Sequence, residues 1–468
     1  MHIANFDRLI VEASALAGSD ASVDDVERLV ATLPGATLSS SGVVLIGMPN
    51  GKTLLRLFFS LLAAGYTPAM LSPTTPVVRI KQMAEDFGAI AIVKPRLGEE
   101  LRAQLRIGKI ERRAGCEIGF FPQTRESVAG PGEIILTTSG TSSEFSSGCV
   151  HAFESLQENA RRHAADIGLH AGDVVLVNLP LFYSFALVAQ AIAGIECGAK
   201  LVISGPPFIA PRYFSELARH RISVSSVTPV LMRDILSHTA DTLPPSLRAL
   251  TIGGDFLPPA LAAEFVARFP GKALYLTYGA TEAGPRIATC RAHEVDERRL
   301  ASVGKPMQGT EVCVLGDTPS SREGELLVRS STLLKRKVGR NARDPLVELD
   351  GRVWLRTGDI FEIDDEGYLF FKHRKTDFVI LNDEKVNLAA IRQHCRSLPG
   401  VLTCKTRPLK QGDAIAGYQL EIVVDDRLVD QAGADDVKAQ LLKGLKHYER
   451  PAALTVTHVD RAVHEFYK

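Results

Sequence analysis

At 468 residues and 45% hydrophobic content the chain can bury more than one ordinary core, and at about 150 residues per domain several lobes are expected. Lys+Arg and Asp+Glu both total 54, so no net charge draws the protein to nucleic acid or to an anionic membrane, which leaves small molecules and docked proteins as partners. Seven cysteines scattered without metal-ligand spacing fit reduced thiols in a cytoplasmic protein.

From its start the sequence reads MHIANFDRLIVEASALAG, with no basic segment leading into an apolar core and a small-residue cleavage site, so no secretory signal is expected. The apolar run 54–64 falls short of the roughly 20 residues that a bilayer requires, and no membrane span is expected. Short β-rich runs at 43–47, 89–93, 134–136, 174–178, 200–203 and 250–252 are separated in several places by helical patterns such as 53–64 and 153–167. Alternation of this kind predicts parallel sheets covered by helices.

Within this region Gly47-Met48-Pro49-Asn50-Gly51-Lys52-Thr53 has the strand-to-helix context of a P-loop, but three residues separate its glycines where that motif needs four. It is expected to be a helix entry with Lys52 exposed. Leu136-Thr137-Thr138-Ser139-Gly140-Thr141-Ser142-Ser143 leaves an apolar strand and is expected to run into a helix. Small side chains let backbone N–H groups close on an anion and hydroxyls add rotatable donors, so this stretch reads as a phosphate-holding loop.

Further on, Leu274-Tyr275-Leu276-Thr277-Tyr278-Gly279-Ala280-Thr281-Glu282 again runs from a strand into a tight polar turn. A threonine hydroxyl beside a glutamate, a hard oxygen ligand, suits a nucleotide with magnesium, and Tyr278 can stack on a base. Past 310 the strands shorten, at 310–315, 324–329 and 353–356, which predicts a smaller β-rich subdomain. The turn Trp354-Leu355-Arg356-Thr357-Gly358-Asp359 offers a carboxylate for paired ribose hydroxyls. From about 377 the pattern is a compact α+β tail in which strands 417–424 and 453–459 bracket a helix at 435–448.

These clusters resemble, in order and spacing, the adenylate-forming superfamily of acyl-CoA and aryl-CoA ligases, luciferases and nonribosomal peptide synthetase adenylation domains. Leu179-Pro180-Leu181-Phe182-Tyr183 resembles its Pro-Leu-Phe-His segment, and Ile252-Gly253-Gly254-Asp255-Phe256-Leu257 its adenine loop. His373-Arg374-Lys375-Thr376-Asp377 with Asn382-Asp383-Glu384-Lys385-Val386 resembles its hinge and following turn. The resemblance implies an α/β fold: a large N-terminal domain of helix-covered, mainly parallel sheets (1–373, with the β-rich subdomain at about 310–373), a hinge at 374–376, and a small mobile α+β C-terminal lid at 377–468.

It also implies roles. Thr138, Ser139, Gly140 and Thr141 would hold the β- and γ-phosphates of ATP, Thr281 the α-phosphate, and Glu282 Mg2+. Asp359 and Arg374 would grip the ribose, while Gly253, Gly254, Asp255, Tyr278 and Gly279 would frame the adenine. The catalytic lysine near the C-terminus would be Lys468, with Arg461 and Lys446 as alternative cations. The chain departs from the pattern at Ser146-Ser147-Gly148, which stands for Pro-Lys-Gly, and at Tyr183, Thr376 and Ile380.

Phe182-Tyr183-Ser184-Phe185-Ala186-Leu187 contains no acid to pair with a substrate ammonium, so Phe182, Tyr183 and Phe185 are expected to line a site for an aryl or short acyl acid without an α-amino group. The expected reaction is adenylation of that acid and transfer to the pantetheine thiol of CoA or of a holo acyl carrier protein. The alternative is a catalytically degenerate nucleotide-binding relative serving as an interaction or regulatory protein.

Overall fold

The computed structural model describes residues 9–13, 22–33, 42–122, 126–138, 147–205, 208–238, 242–316, 318, 321–340, 342–381, 384–411 and 414–459. The chain forms two compact units, one of Met1–Pro206, Ala210–Val312 and Val328–Arg356, the other of Pro207–Ile209, Cys313–Leu327 and Thr357–Lys468.

Two eight-stranded sheets organise the first unit. One has the strand order Ile10–Glu12, Lys200–Ile203, Val174–Val177, Val224–Val227, Ala249–Ile252, Ala273–Gly279, Arg286–Arg291 and Lys305–Pro306. It is parallel up to Ala273–Gly279 and antiparallel beyond. The other runs Arg336–Val338, Ser147–Ala152, Glu133–Thr138, Thr67–Met70, Val43–Ile46, Ala89–Lys94, Cys116–Phe120 and Ile110–Arg113. Its heart is parallel and its edges antiparallel. Val43–Ile46 and Ala249–Ile252 are buried at every position, the reason they read as unbroken apolar runs.

The helix Lys52–Ala63 has no exposed face over Thr53 to Leu61, all of which are buried, because it meets the Ile10–Glu12 strand of one sheet and the Val43–Ile46 and Thr67–Met70 strands of the other. Its Phe58 and Phe59 pack edge-on against Phe153, the first residue of the helix Phe153–Asp166, at 6.1 and 5.9 Å between ring centroids. The turn before Lys52 is a helix entry, as expected, but Lys52 is half-buried rather than exposed. Asn50 there donates to the Leu179 and Ser204 carbonyls (2.9 and 3.1 Å) and accepts from Leu181 N–H (2.9 Å), tying down the Leu179–Phe182 segment.

The expected helix after residue 143 is corrected. Ser147–Ala152 is a strand antiparallel to Glu133–Thr138, with Thr138 opposite Ser147, and the helix starts only at Phe153. Gly148 permits it, since a Cβ there would come within 2.5 Å of the Ile135 side chain.

In the second unit the end of the Arg352–Ile363 strand pairs antiparallel with Leu369–Arg374, from Ile363 opposite Leu369 to Asp359 opposite Arg374. Farther along, Val401–Gln411 and Ala414–Asp425 form an antiparallel pair, and Ala453–Val459 joins parallel after the helix Gln431–Lys443. Tyr418, Leu420, Ile422, Val386, Ile391 and Leu441 belong to a buried core of this unit's own. Among the described residues no helix is long and apolar enough to cross a membrane. All seven cysteines are free thiols.

Candidate active site

The candidate site grows from the reversal between the Ala273–Gly279 and Arg286–Arg291 strands, where the sheet turns from parallel to antiparallel. A Cβ on Gly279 would lie 2.3 Å from the Pro285 carbonyl oxygen, so only glycine allows this approach, and Ala280 N–H donates to that oxygen at 2.9 Å. Between the strands, Thr281–Ala283 forms a 3-10 turn closed by Gly284 at φ 98° and a cis Gly284–Pro285 bond.

Neighbouring elements hold the turn on every side. The Thr281 carbonyl accepts from His151 Nε2 at 2.8 Å, the Glu282 carbonyl from Leu334 N–H at 2.8 Å, and the Ala283 carbonyl from Thr332 Oγ1 at 2.8 Å. Burial pushes the His151 imidazole down to about 4, against the pull of that hydrogen bond and of Glu282, so it is a neutral donor. Asn159, fully buried on Phe153–Asp166, accepts from Arg286 N–H (3.0 Å) and donates to the Arg286 carbonyl (2.9 Å) and Thr332 Oγ1 (3.2 Å). The Thr281 hydroxyl is 3.1 Å from that of Ser184.

Glu282 is engaged by a residue that the sequence reading missed. Lys337 Nζ lies 2.7 Å from Glu282 Oε1, both side chains being 20% exposed. Burial acts to raise the Glu282 carboxyl, but the Lys337 ammonium and its hydrogen bond outweigh it and hold the group below the usual carboxylate range. Cys149, on the strand facing Lys337, is fully buried; burial first, and then the Glu282 charge, keep its thiol protonated. Magnesium binds through one or two carboxylates plus phosphates and water rather than in an all-protein cage. One ionised glutamate fits that requirement, and among the described residues no cluster of three or more His, Cys, Asp or Glu offers a closed metal site.

Beside Ser184, the Phe182 and Tyr183 rings lie 4.4 Å apart and all of Phe182 to Phe185 is partly exposed. Phe185 begins a π-helical segment, Phe185–Ile192, and its ring lies under the Arg286 guanidinium at 3.8 Å. Contact of this kind, away from water, contributes about 2 kcal/mol. Gly253 completes this corner: a Cβ there would stand 2.7 Å from Thr277 Oγ1, 2.8 Å from Arg286 Nη1 and 3.1 Å from the Phe185 ring. Gly253 is thus buried beside Phe185 and Arg286, whereas Gly254 (φ 93°) and Asp255 are exposed and Tyr278 is partly exposed.

The second unit brings Asp359 and Arg374 together across its strand pair, Arg374 Nε lying 3.2 Å from Asp359 Oδ1. Arg374 N–H donates to Asp377, which also pairs with Arg392. Ser139, Gly140, Thr141 and Lys468 lie outside the described residues, and Thr138 is described only as the end of its strand. Ser184, His151, Asn159, Arg286 and Lys337 were missed because each owes its place to the meeting of distant segments. Arg286 alone had a local signal, a cation five residues after Thr281 on a strand otherwise apolar at Ile287 and Ala288.

The profile of the AMP-binding enzyme family matches residues 23–336, and the chain belongs to this family, within the adenylate-forming superfamily. It is similar to 2-succinylbenzoate–CoA ligase of Bacillus pumilus, 27% identical over 380 residues, 79% of this chain and 75% of that protein. It is also similar to long-chain-fatty-acid–CoA ligase FadD13 of Mycobacterium tuberculosis, 32% identical over 276 residues, 57% of this chain but only 52% of that one. The fold matches o-succinylbenzoate CoA synthetase of Bacillus subtilis, solved with its acyl-adenylate intermediate, with a TM-score of 0.71 and 21% identity over 92% of this chain and 87% of that one. The α/β architecture expected from the resemblance is therefore borne out.

Proposed function

We propose that the protein uses ATP to convert a carboxylic acid, aryl or short acyl and without an α-amino group, into an acyl-adenylate, then transfers the acyl group to a pantetheine thiol. The observation that carries this reading is the pairing of Thr281 and Glu282 on a turn braced by His151, Asn159 and Thr332, in a chain of the AMP-binding family. In the first step a carboxylate oxygen bonds to the α-phosphorus and pyrophosphate leaves. In the second, a thiolate attacks the acyl carbon and AMP leaves. Both steps need stabilisation of phosphate charge more than a protein nucleophile.

The Thr281 hydroxyl, already within hydrogen-bond reach of Ser184, donates to an α-phosphate oxygen. Glu282 holds magnesium, which when bound neutralises charge on the phosphates. Thr138, Ser139, Gly140 and Thr141 take the outer phosphates; Asp359 and Arg374 take the ribose; Gly254, Asp255, Tyr278 and Gly279 frame the adenine, while Gly253, against Phe185 and Arg286, belongs to the acid side instead; and Lys468 bridges the carboxylate and the α-phosphate. Residues 377–468 act as a lid turning about 374–376. The Arg286 guanidinium beside Phe185 repels a substrate ammonium, in support of an acid without one.

CoA ligases among the relatives favour CoA as acceptor; a holo acyl carrier protein offers the same thiol. Pyrophosphate release with a panel of acids, followed by thioester detection with CoA and with holo carrier protein, tests the proposal. Release with at least one acid and a thioester with at least one acceptor is expected. ATP binding without release for any acid would reject it in favour of the degenerate relative.

A further inference from the structure

Arg286 is only 3% exposed, and among the described residues its Nε and Nη2 have no hydrogen-bond partner. Among the described residues no carboxylate pairs with it. Burial pushes the guanidinium down to about 9, which leaves it charged at neutral pH. A buried cation with free donors is among the more costly features a core can hold, and arginine's fork of N–H groups matches an oxyanion better than any other side chain does. Nearby His163 is also fully buried, with neither ring nitrogen partnered among the described residues; burial first, and then the Arg286 charge, keep it neutral.

The location of this cation gives it a role. Its backbone lies opposite Gly279 in the strand pair, and the Phe185 ring beneath it follows Ser184, whose hydroxyl meets that of Thr281. The side of Gly253 that carries no Cβ opens onto Arg286 Nη1. The guanidinium therefore stands on the acid side of the reaction turn, with its backbone fixed by Asn159 and two donors unused.

We infer that the acid activated at this site carries a second anionic group, a carboxylate or comparable oxyanion, which binds Arg286 while the first carboxylate is adenylated. This rests on the acid-activating reading above and narrows its substrate class to short or aryl diacids. The second anion supplies the counter-charge that the fold withholds, and the apolar end of a matching monoacid leaves the cation unpaired. Discrimination on that basis is large because the penalty falls on the wrong substrate.

The test compares near-isosteric pairs, succinate with butyrate and phthalate with 2-methylbenzoate, in wild type, Arg286→Met and Arg286→Lys. Calorimetric titration without ATP measures binding, and pyrophosphate release measures turnover. Wild type is expected to favour one diacid over its monoacid partner by about 30-fold or more in Kd and in kcat/KM. Arg286→Met is expected to erase that preference, and Arg286→Lys to keep part of it. The methionine variant removes a buried unpaired charge, so its apo melting temperature is expected to be no lower than that of wild type.

Equal use of both members of each pair overturns the inference while leaving acid activation intact. So does an equal loss of monoacid and diacid activity in Arg286→Met, which would assign the arginine to the reacting carboxylate or the phosphate. Failure of the wild type to bind either diacid overturns it as well. Arg286-dependent diacid binding without pyrophosphate release sustains the anion site and rejects the acid-activating reading instead.

Discussion

Among single residues, Lys337 gives Glu282 its character. The carboxylate is ionised because an ammonium stands 2.7 Å away, so under the proposed role of Glu282 as magnesium ligand the same lysine would both prepare that ligand and compete with the metal for it. In Lys337→Met the carboxylate keeps its burial and loses its cation, and its pKa rises. The acid limb of the pyrophosphate-release profile is therefore expected to move to higher pH, with more magnesium needed at low pH than at high pH. An acid limb unchanged from wild type would show that Glu282 is not the titrating ligand. Thr281 and Glu282 stood out in the sequence because a hydroxyl and a carboxylate sit in two adjacent residues. Lys337 could not, because 55 residues separate it from Glu282 and only the strand pairing of Arg336–Val338 with Ser147–Ala152 brings it back.

Among elements, the helix Phe153–Asp166 braces the reaction turn through a single buried side chain. Asn159→Ala leaves the Arg286 N–H and carbonyl short of partners, at about 1–3 kcal/mol for a group stranded in this way. A fall in stability by urea titration is expected together with a loss of kcat, since the turn loses its brace; a stability loss with full kcat would mean that the turn is held without Asn159. In the other eight-stranded sheet, Glu133 pairs with Lys335 and Arg336 at 2.6 and 2.7 Å. Burial opposes its ionisation, yet the two cations and the Gly130 N–H overcome this and carry the carboxyl down to about 2. Because the folded value is depressed, the stability it contributes is complete above pH 4.5 and is lost as the pH falls toward 2. Glu133→Gln is thus expected to be less stable than wild type at pH 7 and to converge with it only as the pH falls to about 2; a constant gap would contradict the assignment.

Element boundaries repeat the lesson. Strands buried on both faces were legible as apolar runs, as at Val43–Ile46, whereas the strand Ser147–Ala152 was hidden in a sequence of small and polar residues whose pairing depends on the tight fit of Gly148 against Ile135. The helix expected at 435–448 runs instead over Gln431–Lys443, started by Asp430, whose carboxylate accepts the Gly433 N–H at 2.7 Å. That cap was present in the sequence, and the apolar spacing alone drew the boundary too late.

At the scale of the whole molecule, the second unit carries a core built around Tyr418, Ile422 and Leu441, and the first unit a separate one around Val43, Leu45, Phe87 and Ile135. Calorimetry is expected to resolve two transitions. Leu441→Ala, at about 2–5 kcal/mol, should lower only the smaller; a single transition that shifts as a whole would mean that the units unfold together. The order of the motifs along the chain was enough to indicate the family, yet the choice of acid was written elsewhere. At position 286 the backbone is clamped through its own N–H and carbonyl by Asn159, while the side chain takes no part in that clamp. With Arg286 selecting the acid as inferred above, chemistry and selectivity would be uncoupled at this residue: descendants or designers could exchange its side chain and redirect the enzyme to new acids without rebuilding the machinery that activates them.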